Sequence, residues 1–170
     1  QINWISNYVN QADTTLFSSN FADPTNGWRK YIDEMSVVDF YLMQELTKNL
    51  DANLYTSVYM YKTRDKVVNG VTVPGKLFFG PVWDFDTSMG DALYPGNQGT
   101  PTGWYLRNVN NNIEAKQTSE TWFNRLFADP TFAKAVSDRW KQMYPKLVTS
   151  DAFIAQQSTV ITASATANFQ

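Results

Sequence analysis

The feature that most constrains the fold is a pair of aromatic, β-prone runs set around one Asn-Gly step. Ser57-Val58-Tyr59-Met60-Tyr61-Lys62 precedes it, and Lys76-Leu77-Phe78-Phe79-Gly80-Pro81-Val82-Trp83 follows it. β-Branched and aromatic side chains suit a pleated, half-buried surface. Asn69-Gly70 supplies the two positive-φ positions of a tight hairpin turn, with Pro74-Gly75 as the alternative turn. A turn centred on Asn69-Gly70 sets the register: paired residue numbers add to 139, so Tyr59 faces Gly80 and Ser57 faces Val82.

On either side of this hairpin the period changes to that of helices. Trp4, Ile5, Tyr8, Val9, Ala12, Leu16 and Phe17 recur at helical spacing over 3–18. After a polar linker over 20–27, a short helical turn is expected at Trp28 to Ile32. A second helix, capped by Asp33 or Ser36, runs to about Lys48. Its apolar residues lie nearly all round, which predicts burial on more than one side. Three helical stretches are expected after residue 119: one to Phe127, one capped by Asp129 with a stripe of Phe132, Val136, Trp140 and Met143, and one capped by Ser150 or Asp151. Helices, one hairpin, then helices make a mainly helical α+β domain with the hairpin at about 57–82.

Composition removes whole classes of chemistry. Histidine and cysteine are both absent from the 170 residues, which excludes a Ser-His-Asp triad, a cysteine nucleophile, disulfides and a His/Cys zinc site within this chain. Acid–base work falls to Asp, Glu, Lys or Tyr. A net charge of −2 gives no basic surface for nucleic acid or an anionic membrane. No apolar run reaches the ~18 residues of a membrane span. The chain begins at Gln1 rather than Met, which reads as a processed or excised piece.

The hairpin register carries a chemical expectation. Asp51 precedes the first strand and Asp84 follows the second, so two carboxylates 33 residues apart leave from the same end. Asp86 lies two residues further on, and Asn49 and Asn53 flank Asp51. Such oxygens suit a hard cation such as Mg²⁺. Any one of these aspartates alone reads as a turn former or a helix cap.

The strings Asn49-Leu50-Asp51, Tyr59-Met60-Tyr61-Lys62 and Gly80-Pro81-Val82-Trp83-Asp84-Phe85-Asp86 resemble the CotH family of spore-coat-protein-like atypical protein kinases, as does the preceding segment Asp39 to Lys48. The resemblance spans residues 28–90. It implies a protein-kinase-like C-lobe and Mg²⁺-dependent transfer of the ATP γ-phosphate to Ser/Thr hydroxyls of surface or coat proteins, at a secreted or cell-surface location. By the same resemblance Asp51 matches the catalytic-loop aspartate, and Asp84 the metal-binding aspartate with Asp86 beside it. Asn49, Asn53 and Ser57 are supporting residues.

This chain departs from ordinary kinases in places. Thr56 stands where they carry the metal-binding Asn, and Asn49-Leu50 stands where they carry His-Arg. Its eight glycines form neither a G-x-G-x-x-G nor a Walker loop, and no lysine is marked for nucleotide. Lys30, Lys48 and Lys62 read as surface charge. The expectation is a single domain or fragment, 1–170, whose nucleotide lobe lies upstream and which is inactive alone. Two alternatives belong to other classes. One is a non-catalytic carbohydrate- or protein-binding module built on Tyr94, Trp104 and Tyr105 of the Gly/Pro/Asn-rich stretch 91–112. The other is a glycosidase carboxylate pair.

Overall fold

Asp33 starts the helix on which the rest is arranged. In the computed structural model, residues 2–49, 51–52, 56–90, 101–107 and 121–168 are described. The Asp33 carboxylate accepts the Ser36 N–H at 2.9 Å and caps α2 (Glu34–Thr47). Lys48, at φ 55°, ends it in the left-handed region and donates its N–H to the Gln44 carbonyl. Val37, Val38, Phe40, Tyr41 and Leu42 are all buried, as the all-round apolar pattern predicts, but Leu46, which belongs to the same pattern, is exposed. Gln44, Glu45 and Thr47 are buried too, which the pattern did not announce. The Glu45 carboxylate accepts the N–H groups of Tyr105 at 3.1 Å and Leu106 at 2.8 Å, holding segment 101–107 on α2.

The hairpin register is the one set by Asn69-Gly70. Strand β1 (Met60–Lys62) and strand β2 (Lys66–Val68) run up to the turn, and β3 (Val71–Val73) and β4 (Leu77–Phe79) return. Both ladders are antiparallel, pairing Met60 with Phe79 and Val68 with Val71. The strands are shorter than expected. Pro74 has no N–H to offer the ladder, and the Gly75 N–H is diverted to the Asp65 carboxylate at 2.8 Å. One hairpin therefore becomes two two-stranded sheets. Past Phe79 the Gly80 N–H still bonds the Tyr59 carbonyl at 2.8 Å, but φ 120° at Gly80 and the missing donor of Pro81 end the strand before Val82 can pair with Ser57.

Strand β4 is fastened to the start of α2. Leu77 exchanges backbone bonds with Tyr31 and Asp33 at 2.8 and 2.9 Å, and the Phe79 N–H bonds the Ser36 hydroxyl at 3.2 Å. The chain after β4 then runs toward the other end of α2, where Asn49 and Asp51 lie. That path builds the site.

Helix α1 (Ile2–Leu16) precedes a 3₁₀ turn (Trp28–Lys30), while α3 (Trp122–Phe127), α4 (Pro130–Leu147) and α5 (Ser150–Asn168) close the chain. Thr121 and Asp129 cap α3 and α4, the latter with Pro130 in its first turn. The core is aromatic: Phe123 packs against the rings of Phe40 and Tyr41, and Trp28 meets Phe132 edge-on. On α1, Ala12 and Leu16 are buried and Trp4 is 60% exposed. Other expectations are corrected. On α4, Phe132 and Val136 are buried but Trp140 is not. Helix α5 begins at Ser150 itself, and its apolar residues Phe153, Ile154, Val160 and Ile161 face solvent. Lys62 is not surface charge: its side chain is 5% exposed and its ammonium lies 5.1 and 4.8 Å from the ring centroids of Trp4 and Tyr8. Lys48 bonds the Gly103 carbonyl at 2.6 Å. The mainly helical α+β class is as expected.

Candidate functional site

Two irregular segments meet at the end of α2. The first is the helix exit (Lys48, Asn49, Asp51 and Ala52) together with Thr56 and Ser57 before β1, and the second runs from Gly80 to Gly90 after β4. Neither has a ladder to hold it, and their backbones take conformations that L-residues seldom adopt. Lys48, Ser57, Asp84 and Met89 all have φ between 55° and 61°. Such conformations cost energy and persist only where neighbours over-determine them. Here the neighbours are bonds between the segments. The Met89 N–H donates to the Thr47 carbonyl at 2.7 Å. Asn49 Nδ2 donates to the Asp84 carbonyl at 3.0 Å. The Ser57 hydroxyl donates to Asp84 Oδ2 at 2.7 Å, and Trp83 Nε1 donates to the Ser57 carbonyl at 3.1 Å.

These bonds gather three acids. Asp51, Asp84 and Asp86 each present one carboxylate oxygen, and the three oxygens lie within 4.8 Å of one another. Asp51 and Asp84 are partly buried and Asp86 is exposed. Among the described residues no lysine or arginine forms an ion pair with Asp84 or Asp86. Like charges about 4 Å apart repel by about 1 kcal/mol in water and about 4 kcal/mol near a protein surface, and a shared cation would relieve this. The donor set fits a hard ion. Two oxygens bound to one Mg²⁺ at about 2.1 Å are at most about 4.2 Å apart, and to Ca²⁺ at about 2.4 Å at most about 4.8 Å.

Of the residues marked from sequence, Asp51, Asp84, Asp86, Asn49 and Ser57 come together. Asn53 lies outside the described residues. Thr56 is exposed. Sequence reasoning missed Thr87, whose buried hydroxyl lies 3.4 Å from Asn49 Oδ1, and Trp83 as an anchor of Ser57. Their adjacency to the Gly80–Asp86 string was the one available signal. The aromatic platform does not assemble among the described residues: Trp104 is exposed, Tyr105 is buried, and Tyr94 lies outside them.

Fold and site together define a mixed α+β protein with a cluster of three carboxylates that could hold a metal ion. A family model described as CotH kinase protein matches residues 1–163, far beyond the 28–90 stretch that carried the resemblance. This chain belongs to the CotH kinase family. No curated protein and no solved structure matches it. Among the described residues no helix is long and apolar enough to cross a membrane.

Proposed function

We propose that this chain is the catalytic, C-lobe-like portion of a kinase that transfers the ATP γ-phosphate to a Ser or Thr hydroxyl of a surface or coat protein. The observation that carries this reading is the convergence of the Asp51, Asp84 and Asp86 oxygens within 4.8 Å, in a chain of this family. The phosphate-covering loop and its lysine belong, in this reading, to a separate amino-terminal lobe.

Asp51 acts on the acceptor. Its carboxylate orients the hydroxyl and takes its proton as the oxygen–phosphorus bond forms and the bond to the departing ADP oxygen breaks. Asp84 and Asp86 would hold Mg²⁺, with Ser57 orienting Asp84. The bound ion supplies neutralisation of the phosphate charge. Holding the reacting groups in place is the larger part of such catalysis.

Asp84→Asn separates charge from shape. Asparagine tolerates the left-handed backbone that Asp84 adopts at φ 61°, so the fold stays and a metal carboxylate goes. In the intact protein we expect phosphoryl transfer to be lost, with a melting temperature within a few degrees of wild type. Radiolabel transfer from γ-labelled ATP, measured beside a thermal melt, checks it. Full activity in the variant would refute the role of Asp84.

A further inference from the structure

Asn49 is 2% exposed, and both ends of its amide are engaged. Nδ2 donates to the Asp84 carbonyl at 3.0 Å. Oδ1 accepts the Asp51 N–H at 3.2 Å and faces the Thr87 hydroxyl at 3.4 Å. One short side chain thus grips the backbone of both metal-site loops. Its orientation follows from its partners, because a carbonyl needs a donor and an N–H needs an acceptor. Aspartate would fill the same volume but present an acceptor to the Asp84 carbonyl. An apolar residue would take these bonds from the partly buried Asp84 carbonyl and Asp51 N–H and from the buried Thr87 hydroxyl, a costly exchange.

The loops need this grip. Asp84 stands at φ 61° outside any sheet, and the exit from α2 passes through Lys48 at φ 55°. Ser57 holds the Asp84 carboxylate, and Asn49 links the Asp84 backbone directly to the segment that carries Asp51.

We propose that Asn49 is the positioning residue that fixes the Asp84 backbone against the segment carrying Asp51, and through Asp84 sets the affinity of the site for a divalent cation. This deepens the metal-dependent reading above and rests on it.

The test is Mn²⁺ binding by the intact protein, followed by the electron spin resonance of free Mn²⁺, with a circular-dichroism melt alongside. It contains no nucleotide and no acceptor, so failure of the kinase reading and failure of the Asn49 role are read separately. Asn49→Asp keeps the volume and adds a negative charge. Charge alone would tighten Mn²⁺ binding, whereas an opened clamp weakens it. We expect binding about tenfold weaker, the size usual for groups that orient metal ligands. Thr87→Val leaves Asn49 in place, removes only the hydroxyl beside its oxygen, and should weaken binding by less. Asn49→Asp binding Mn²⁺ as tightly as wild type, or more tightly, overturns the proposal. If that variant does not fold, Thr87→Val decides: unchanged affinity overturns it and weakened affinity supports it.

Discussion

Serine 57 carries its meaning in its backbone. A serine at the mouth of a strand would ordinarily pair or face solvent, but at φ 56° its hydroxyl turns onto Asp84 Oδ2 at 2.7 Å while its carbonyl receives the Trp83 indole. A hydrogen bond to a carboxylate is among the stronger ones, and its value here is orientation. Ser57→Ala is expected to slow phosphoryl transfer about tenfold, with little change in melting temperature. Steady-state kinetics of the intact protein in Mg-ATP check this, and an unchanged kcat would show that Asp84 needs no such support. Asn49 makes the same point from the other loop: its residue type allowed a ligand, a cap or a clamp, and its partners select the clamp.

At the scale of elements, helix caps do more than end helices. Asp129 caps α4 through Oδ1, which accepts the Thr131 N–H at 2.9 Å, while Oδ2 accepts from Trp28 Nε1 at 3.1 Å and Arg29 at 2.5 Å. One carboxylate therefore joins α4 to the 3₁₀ turn, 100 residues away from Arg29. Burial pushes its pKa up, but the bonds from Arg29, Thr131 and Trp28 outweigh burial and lower it from 3.8 to about 2. A depressed folded pKa means stabilisation that is complete above the unfolded value and lost as pH falls from about 5 toward 2. Asp129→Asn should cost about 2 kcal/mol at pH 7, and the cost should shrink toward pH 3. Urea unfolding of both proteins at pH 7, 4 and 3 measures it. A gap that stays constant with pH would assign the effect to the cap's shape rather than its charge.

At the scale of the molecule, distant parts of the chain are tied across the aromatic core. Arg139 pairs with Asp39 through two bonds at 2.6 and 3.0 Å, Arg125 reaches the carbonyls of Leu16 and Ser18, and the Trp122 indole reaches Asp13 at 2.7 Å. The chain thus has a core of its own. Nucleotide is another matter, since kinases grip it with a loop and lysine that these glycines do not form. Calorimetric titration of the 170-residue chain with Mg-ATP should show no saturable binding at micromolar concentrations. A micromolar dissociation constant would place the nucleotide site within this chain and contradict the two-lobe division.

Local rules made much of this legible. Asn69-Gly70 and alternating aromatics determined the register, because a two-residue turn leaves the pairing no freedom. Asp33 and Asp129 announced their helices, because a cap bonds N–H groups two or three residues away. The same register placed Asp51 and Asp84 at one end. Only the tertiary structure decided the rest. The hairpin broke in two because Gly75 bonds a side chain instead of a strand, and Ser57 and Asp84 entered the left-handed region because contacts 27 residues apart hold them there. Lys62 was buried by rings from α1, and Glu45 by backbone from segment 101–107. A sequence displays what neighbours along the chain do to one another. Burial, strained backbone and the clamp at Asn49 are made by groups that meet only after the chain has folded.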